Sequence, residues 1–157
     1  MIKLETIGML DRVVVNPVLT SANAVANYTF ITDNGNLYLV ANTITGDNAY
    51  VDDVTIPAGE YLNGHLIKSI EGQKLVIDEK HIKYGAGKDY DDIVLEDANT
   101  NTNATILTVD SSTGKLAIAQ AAPASGIYFK VTDKCRLTGK AVKALIVVVD
   151  KDTVSNG

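Results

Sequence analysis

Polar and apolar residues alternate along most of this chain, and Gly, Asn, Asp or Pro interrupts the alternation every few residues. A period of two sends successive side chains to opposite faces of an extended strand, so the pattern predicts short strands joined by tight turns. "NYTFIT" at 27–32 and "LYLVAN" at 37–42 flank "DNGN" at 33–36, where Asn34–Gly35 suits the positive φ angles of a hairpin turn. Further strands are expected in "AYVDDVTI" after the turn "TGDN" at 45–48, in "KLVIDEKHI" at 74–82, in "IVLEDAN" at 93–99 and in "TILTVD". "KLAIAQ" follows the turn "SSTG" at 111–114, and "IYFKVT" and "ALIVVV" close the series, the last fitting a buried strand. "TIPAGEYLNGHLI" at 55–67 reads as strand, turn and strand, or as one bulged strand. Helical periodicity is confined to short stretches around 20–26 and 76–82.

The expected fold is all-β: a compact β-sandwich or β-barrel-like domain with short connecting turns and an extended N-terminal arm. The boundaries are an arm or first strand at 1–24, a β-rich domain at 25–151 and a short tail at 152–157. The 157 residues suit one domain, and 46% hydrophobic against 21% charged residues is an ordinary globular balance. "MIKLETIGMLD" has no continuous apolar core, so no secretory signal is expected, and no apolar run reaches membrane-spanning length. Soluble, intracellular synthesis is the expectation.

Charge narrows the function. The chain carries a net charge of -5, which argues against general affinity for nucleic acid. The charge is unevenly placed. Residues 89–97 hold five acids and no base, whereas 127–143 hold Lys130, Lys134, Arg136, Lys140 and Lys143 against Asp133 alone, a net of +4. Opposed patches of this kind can steer subunits together and set their register.

Candidate chemistry is sparse. His65 and His81 lack metal-binding spacing, and His65 beside Gly64 reads as a partly exposed sheet residue. "DYDD" at 89–92 departs from the register of a calcium loop and reads as a solvated acidic loop. "GAGK" at 85–88 is too short for a phosphate loop and has Asp89 where a hydroxyl is needed, so it reads as a turn. No serine lies in a nucleophile elbow, and Tyr61, Tyr84 and Tyr90 are a thin basis for a sugar platform. Cys135 is the single cysteine, read as structural because Lys134 and Arg136 would face away from it in a strand. No catalytic residue, metal ligand or cofactor site is expected.

"TIPAGEYLNGHLIKSIEGQKLVID" and the late "GIYFKVTDKCRLTGKAVKALIVVV" together resemble small structural proteins of tailed bacteriophages, in particular the capsid decoration, or head cement, proteins. The resemblance extends over about 27–150 and includes an "IPAG" segment with Pro57, Ala58 and Gly59, followed by Gly64. It implies a non-enzymatic protein on the exterior of the phage head, made in the host cytoplasm. The implied partner is the major capsid protein, clamped by a homo-oligomer such as a trimer, with no direct nucleic-acid or membrane contact. An N-terminal arm often takes part in such contacts. Here Arg12, Val13, Val14 and Val15 would extend a capsid sheet by strand addition. Pro57, Gly59 and Gly64, with the five bases of 127–143, complete the expected interaction residues. The alternatives are a β-rich module binding carbohydrate or protein, a minor neck or tail component, and, less favoured, a small hydrolase.

Overall fold

The longest strands form where the apolar run is longest. Gly126–Cys135 (β12) and Ala141–Val149 (β13) pair antiparallel over nearly their whole lengths. In the computed structural model the described residues are 2–4, 15–16, 19–42, 54–136 and 139–149. The other strands are Ile2–Leu4 (β1), Val15–Asn16 (β2), Val25–Ala26 (β3), Thr29–Asp33 (β4), Asn36–Val40 (β5) and Thr55–Ile56 (β6). Gly64–Leu66 (β7), Lys74–Asp78 (β8), Ile82–Lys83 (β9), Ile106–Val109 (β10) and Leu116–Ala119 (β11) follow.

The protein is all-β, as the alternation predicts. A seven-stranded sheet in the order β1-β8-β13-β12-β10-β11-β9 curls like half a barrel. A four-stranded sheet, β2-β7-β5-β4, packs inside the curl, and the small pair β3-β6 covers its far side. Among the described residues all strand pairings are antiparallel except β9 with β11. Among the described residues the only helical turns are 3-10 turns, at Ile67–Ile70, Glu79–His81 and Tyr90–Asp92.

The middle sheet is buried on both faces, and period two divides its side chains between two cores. Leu39 joins Phe30, Leu75, Ile77, Leu107, Phe129, Val142 and Ile146 in the larger core under the curled sheet. Its neighbours Tyr38 and Val40 turn the other way, toward Leu19, Val25, Ile56 and Leu62. Phe30 meets Phe129 edge-on, with centroids 5.4 Å apart, and ties the two large sheets together. Asn27, buried between these layers, is satisfied by a reciprocal pair with Asn42. Its Nδ2 donates to Asn42 O (3.1 Å), and its Oδ1 accepts from Asn42 N (2.8 Å).

Several local expectations change. The stretch 20–26 is not helical, and 76–82 is the end of β8 followed by a 3-10 turn, because Leu75 and Ile77 alternate inward with Val76 outward. Residues 93–99 form no strand beyond one bridge between Asp97 and Thr102. The turn at 45–48 lies outside the described residues. At the N-terminus, β1 adds to the edge of the large sheet through β8 and buries Ile2. Val15 pairs with His65 in the middle sheet. The described pieces of 1–24 therefore pair within this chain's own sheets. Among the described residues no helix is long and apolar enough to cross a membrane.

Gly64 shows how tightly the layers close. A Cβ at this position would overlap Leu19 Cδ2 and stand 3.3 Å from Tyr38 Cβ. Gly64→Ala should therefore destabilise the chain by roughly 1–3 kcal/mol, the usual range for overpacking. The check is the denaturant midpoint of the variant against the parent chain. An unchanged midpoint would mean that Leu19 does not lie over β7.

Candidate interaction surface

A bulge in β12 sorts the basic residues. Up to Val131 the register pairs core residues with core residues, Phe129 with Ile146 and Val131 with Ala144. The register then slips between Val131 and Asp133, so that Asp133 faces Lys143 and Lys134 faces the buried Val142. Lys130 and Lys143 thus stay on the outer face of the large sheet. Lys134 is turned toward the core side, where an ammonium group must find partners.

Its partners come from the acidic segment. Lys134 Nζ donates to the carbonyls of Tyr90 (2.9 Å) and Ile93 (3.1 Å) and sits 4.3 Å from the centre of the Tyr90 ring. Arg136 Cζ and Lys140 Nζ lie 5.2 and 5.6 Å from the same ring. Tyr90 itself is fully buried, and its single hydroxyl hydrogen is shared between Ala141 O (2.8 Å) and Cys135 O (3.2 Å), tying the acidic segment to both strands of the hairpin. The turn that presents it is fixed locally. Asp91 N donates to Asp89 Oδ1 (2.9 Å) and Asp89 N to Asp92 Oδ2 (2.7 Å).

The opposed charge patches therefore meet within one chain. Glu96 pairs with Lys130 at 3.4 Å and Asp91 with Arg136 at 3.5 Å, both exposed and individually weak. The acidic segment 89–97 is a strap docked on its own basic hairpin.

The remaining expected residues are dispersed. Arg12, Val13 and Val14 lie outside the described residues, and Val15 is placed by its pairing with His65. Pro57 and Gly59 are exposed on a loop stitched to the preceding segment. Gly59 N donates to Ser21 O (2.9 Å), Leu62 N to Leu19 O (2.9 Å) and Asn42 Nδ2 to Tyr61 O (3.2 Å). Gly64 is buried beneath Leu19, so it is a packing residue and not a contact residue. Tyr61, at the loop's tip, is the most exposed large apolar residue described, at 68%.

The histidines are apart in role and place. His65 is buried, a correction to its expected exposure, and its Nε2 donates to Ala41 O at 3.2 Å. His81 packs edge-on against Tyr28, with centroids 5.6 Å apart. Among the described residues no three of His, Cys, Asp and Glu converge as a metal site would require. Asp110 gathers several partners. The Lys83 ammonium at 2.8 Å, with the Thr113 and Ser112 hydroxyls, holds its carboxyl well below the usual range. It closes the β10–β11 turn, where Gly114 at φ +72° packs against Thr29 and accepts a bond from Phe30 N.

What the sequence pattern left open is whether the outer face of the large sheet is covered. The register places Val76, Ile106, Tyr128, Leu145 and Val147 there, all half-exposed, around Lys130 and Lys143. The run "ALIVVV" is apolar on both faces. Its inner residues Ala144 and Ile146 are buried, while Val147–Val149 are half-exposed, so the strand is less covered than expected. Beside this face runs an open groove of about 510 Å³, bounded by Val94, Asn103, Gln120 and Tyr128, with Glu96 and Lys130 at its rim. No protein-family model, curated protein or solved structure matches this chain.

Two results are expected of the strap and its neighbours. Tyr90→Phe removes the one donor that Ala141 O and Cys135 O share and should cost about 1–3 kcal/mol, measured by denaturant unfolding. Stability should also fall at both ends of the pH scale. Burial raises Tyr90, outweighing the opposing Arg136 charge, and burial followed by the Glu79 charge raises Tyr84. A raised phenol adds stability that is whole below its unfolded value, about 10, and is lost as pH climbs toward the folded value. The depressed Asp110 adds stability above its unfolded value, about 4, that is lost as pH falls. Melting temperature against pH should show both flanks, with Tyr90→Phe flattening the alkaline one and Asp110→Asn the acid one.

Proposed function

We propose that this chain is a non-enzymatic virion structural protein of a tailed phage. In this reading it binds the outer surface of the assembled head and stabilises contacts between major capsid subunits. The observation that carries the reading is the outer face of the seven-stranded sheet: broad, half-exposed and largely apolar, with Lys74 paired to Asp133 at 3.6 Å and Lys130 to Glu96 at 3.4 Å. A face of this composition suits docking to another protein surface better than it suits binding a polyanion. The resemblance of the "IPAG" segment and the C-terminal hairpin to capsid decoration proteins supplies the partner, and with it the exterior of the virion as the location. Homo-oligomers, a trimer among them, fit the symmetry of such a lattice. The protein would stabilise the shell by binding assembled subunits and not dissociated ones.

A second reading has an observation of its own. The groove beside the outer face combines the Tyr128 ring with the amides of Asn103 and Gln120, groups that serve a carbohydrate- or protein-binding module.

Co-sedimentation with assembled capsids of the parent phage and with dissociated capsid protein separates these readings. The expected result is binding to capsids only, weakened about tenfold or more by Tyr128→Ser with Val147→Ser, as for central interface residues. Those variants should leave the melting temperature close to that of the parent chain. A chain that stays in the supernatant with intact capsids would end the capsid reading and leave the binding module.

A further inference from the structure

We propose that Asn34 is a site of spontaneous deamidation and that the fold withholds the same reaction from Asn63. The chain has Asn-Gly pairs at 34–35 and 63–64 within the described residues; both asparagines are exposed, but Gly35 is exposed whereas Gly64 is buried.

Asn34 and Gly35 are the two central residues of the β4–β5 hairpin, with φ +50° and +78°, and both are exposed. Around Gly35 the space is open even to an added side chain. Neither the Gly35 N–H nor the Asn34 side chain makes a hydrogen bond among the described residues. The nucleophile and its target are thus adjacent in sequence and exposed, and neither is held by a hydrogen bond.

The chemistry needs only water and base. Gly35 N loses its proton and attacks Asn34 Cγ. A C–N bond forms, the Cγ–Nδ2 bond breaks, and the amide nitrogen leaves as ammonia after gaining a proton from water. Water then opens the cyclic imide at either carbonyl, giving aspartate or isoaspartate. The two outcomes differ for the fold. Aspartate tolerates a left-handed backbone and keeps the turn. Isoaspartate lengthens the main chain by one carbon inside a two-residue turn that sets the register of β4 and β5. That hairpin supplies Phe30 and Leu39 to one core and Tyr38 and Val40 to the other.

At Asn63 the same pair is held. Gly64 N donates to Leu62 O at 3.0 Å, and Asn63 N donates to Asn42 Oδ1 at 2.6 Å. Gly64 is paired on both sides, with Val40 and Asn16, and Leu19 lies against its Cα. Ring closure there would have to break these contacts first.

The full chain, incubated in mildly alkaline buffer with and without urea and then digested, reports both sites by peptide mass spectrometry that separates aspartate from isoaspartate. In the native chain the Asn34 peptide should convert at least about tenfold faster than the Asn63 peptide, because Asn63 reacts only from a locally opened state. In urea the two rates should converge. Equal native rates, or a native Asn34 that stays amide while the unfolded chain converts, would overturn the proposal. Asn156–Gly157, outside the described residues, falls on a separate peptide and does not enter the comparison.

Discussion

A lysine turned to the inner side of a sheet has to be given partners, and much of this molecule's C-terminal half follows from how Lys134 gets them. One extra residue in β12, between Val131 and Asp133, reverses the facing of everything after it. The ammonium group that results is met by two main-chain carbonyls and the face of an aromatic ring. Those three groups all belong to the segment that begins at Tyr90. The segment has no strand ladder to hold it; besides the lysine it is held by the buried Tyr90 and Ile93 side chains and by the bonds between Val94 and Thr105. Removing either partner leaves part-buried polar groups short of a partner.

The same strap decides what the exterior looks like. Two acid–base pairs that lie far apart in sequence, Glu96 with Lys130 and Asp91 with Arg136, are brought within ion-pair distance. An acidic chain with a basic hairpin would otherwise present two strong fields of opposite sign. Here the apolar outer face of the large sheet has its bases already accompanied by acids. Long-range steering is correspondingly weak, and association through that face would rest on shape and apolar burial, with modest dependence on salt.

Most of the architecture was legible in the alternation of residues. The hairpin at 27–42, the turns at 33–36 and 111–114 and the two long C-terminal strands all follow from period two and from Gly and Asn at positions of positive φ. Three things were not. The bulge at Thr132 carries no Gly or Pro to announce it, and parity counted through it puts Lys134 on the wrong side of the sheet. Tyr90 sits among aspartates, so composition assigns it to solvent, while burial and two carbonyl partners place it in the core. His65 is also buried, because the middle sheet is covered on both faces, a fact that no local pattern in "LNGHLI" contains. The outer face was partly visible, since a run apolar at every position marks a strand with two apolar faces, but not whether both would be covered.

Stability of the monomer and strength of any docking need not rise together. The side chains that close the two cores, such as Phe30, Leu39 and Phe129, are fully committed inside. The residues of the outer face are only partly covered by the fold. A small domain with one such face gains only a modest free energy from a single contact, because association must first offset lost translational and rotational freedom. Repetition changes that arithmetic: several copies on a regular lattice turn each later contact into an intramolecular one, and the combined attachment can exceed each part by orders of magnitude. On the proposed role, a weak face on a rigid β scaffold is therefore sufficient, and a strongly charged one would hinder discrimination between an assembled lattice and its loose subunits.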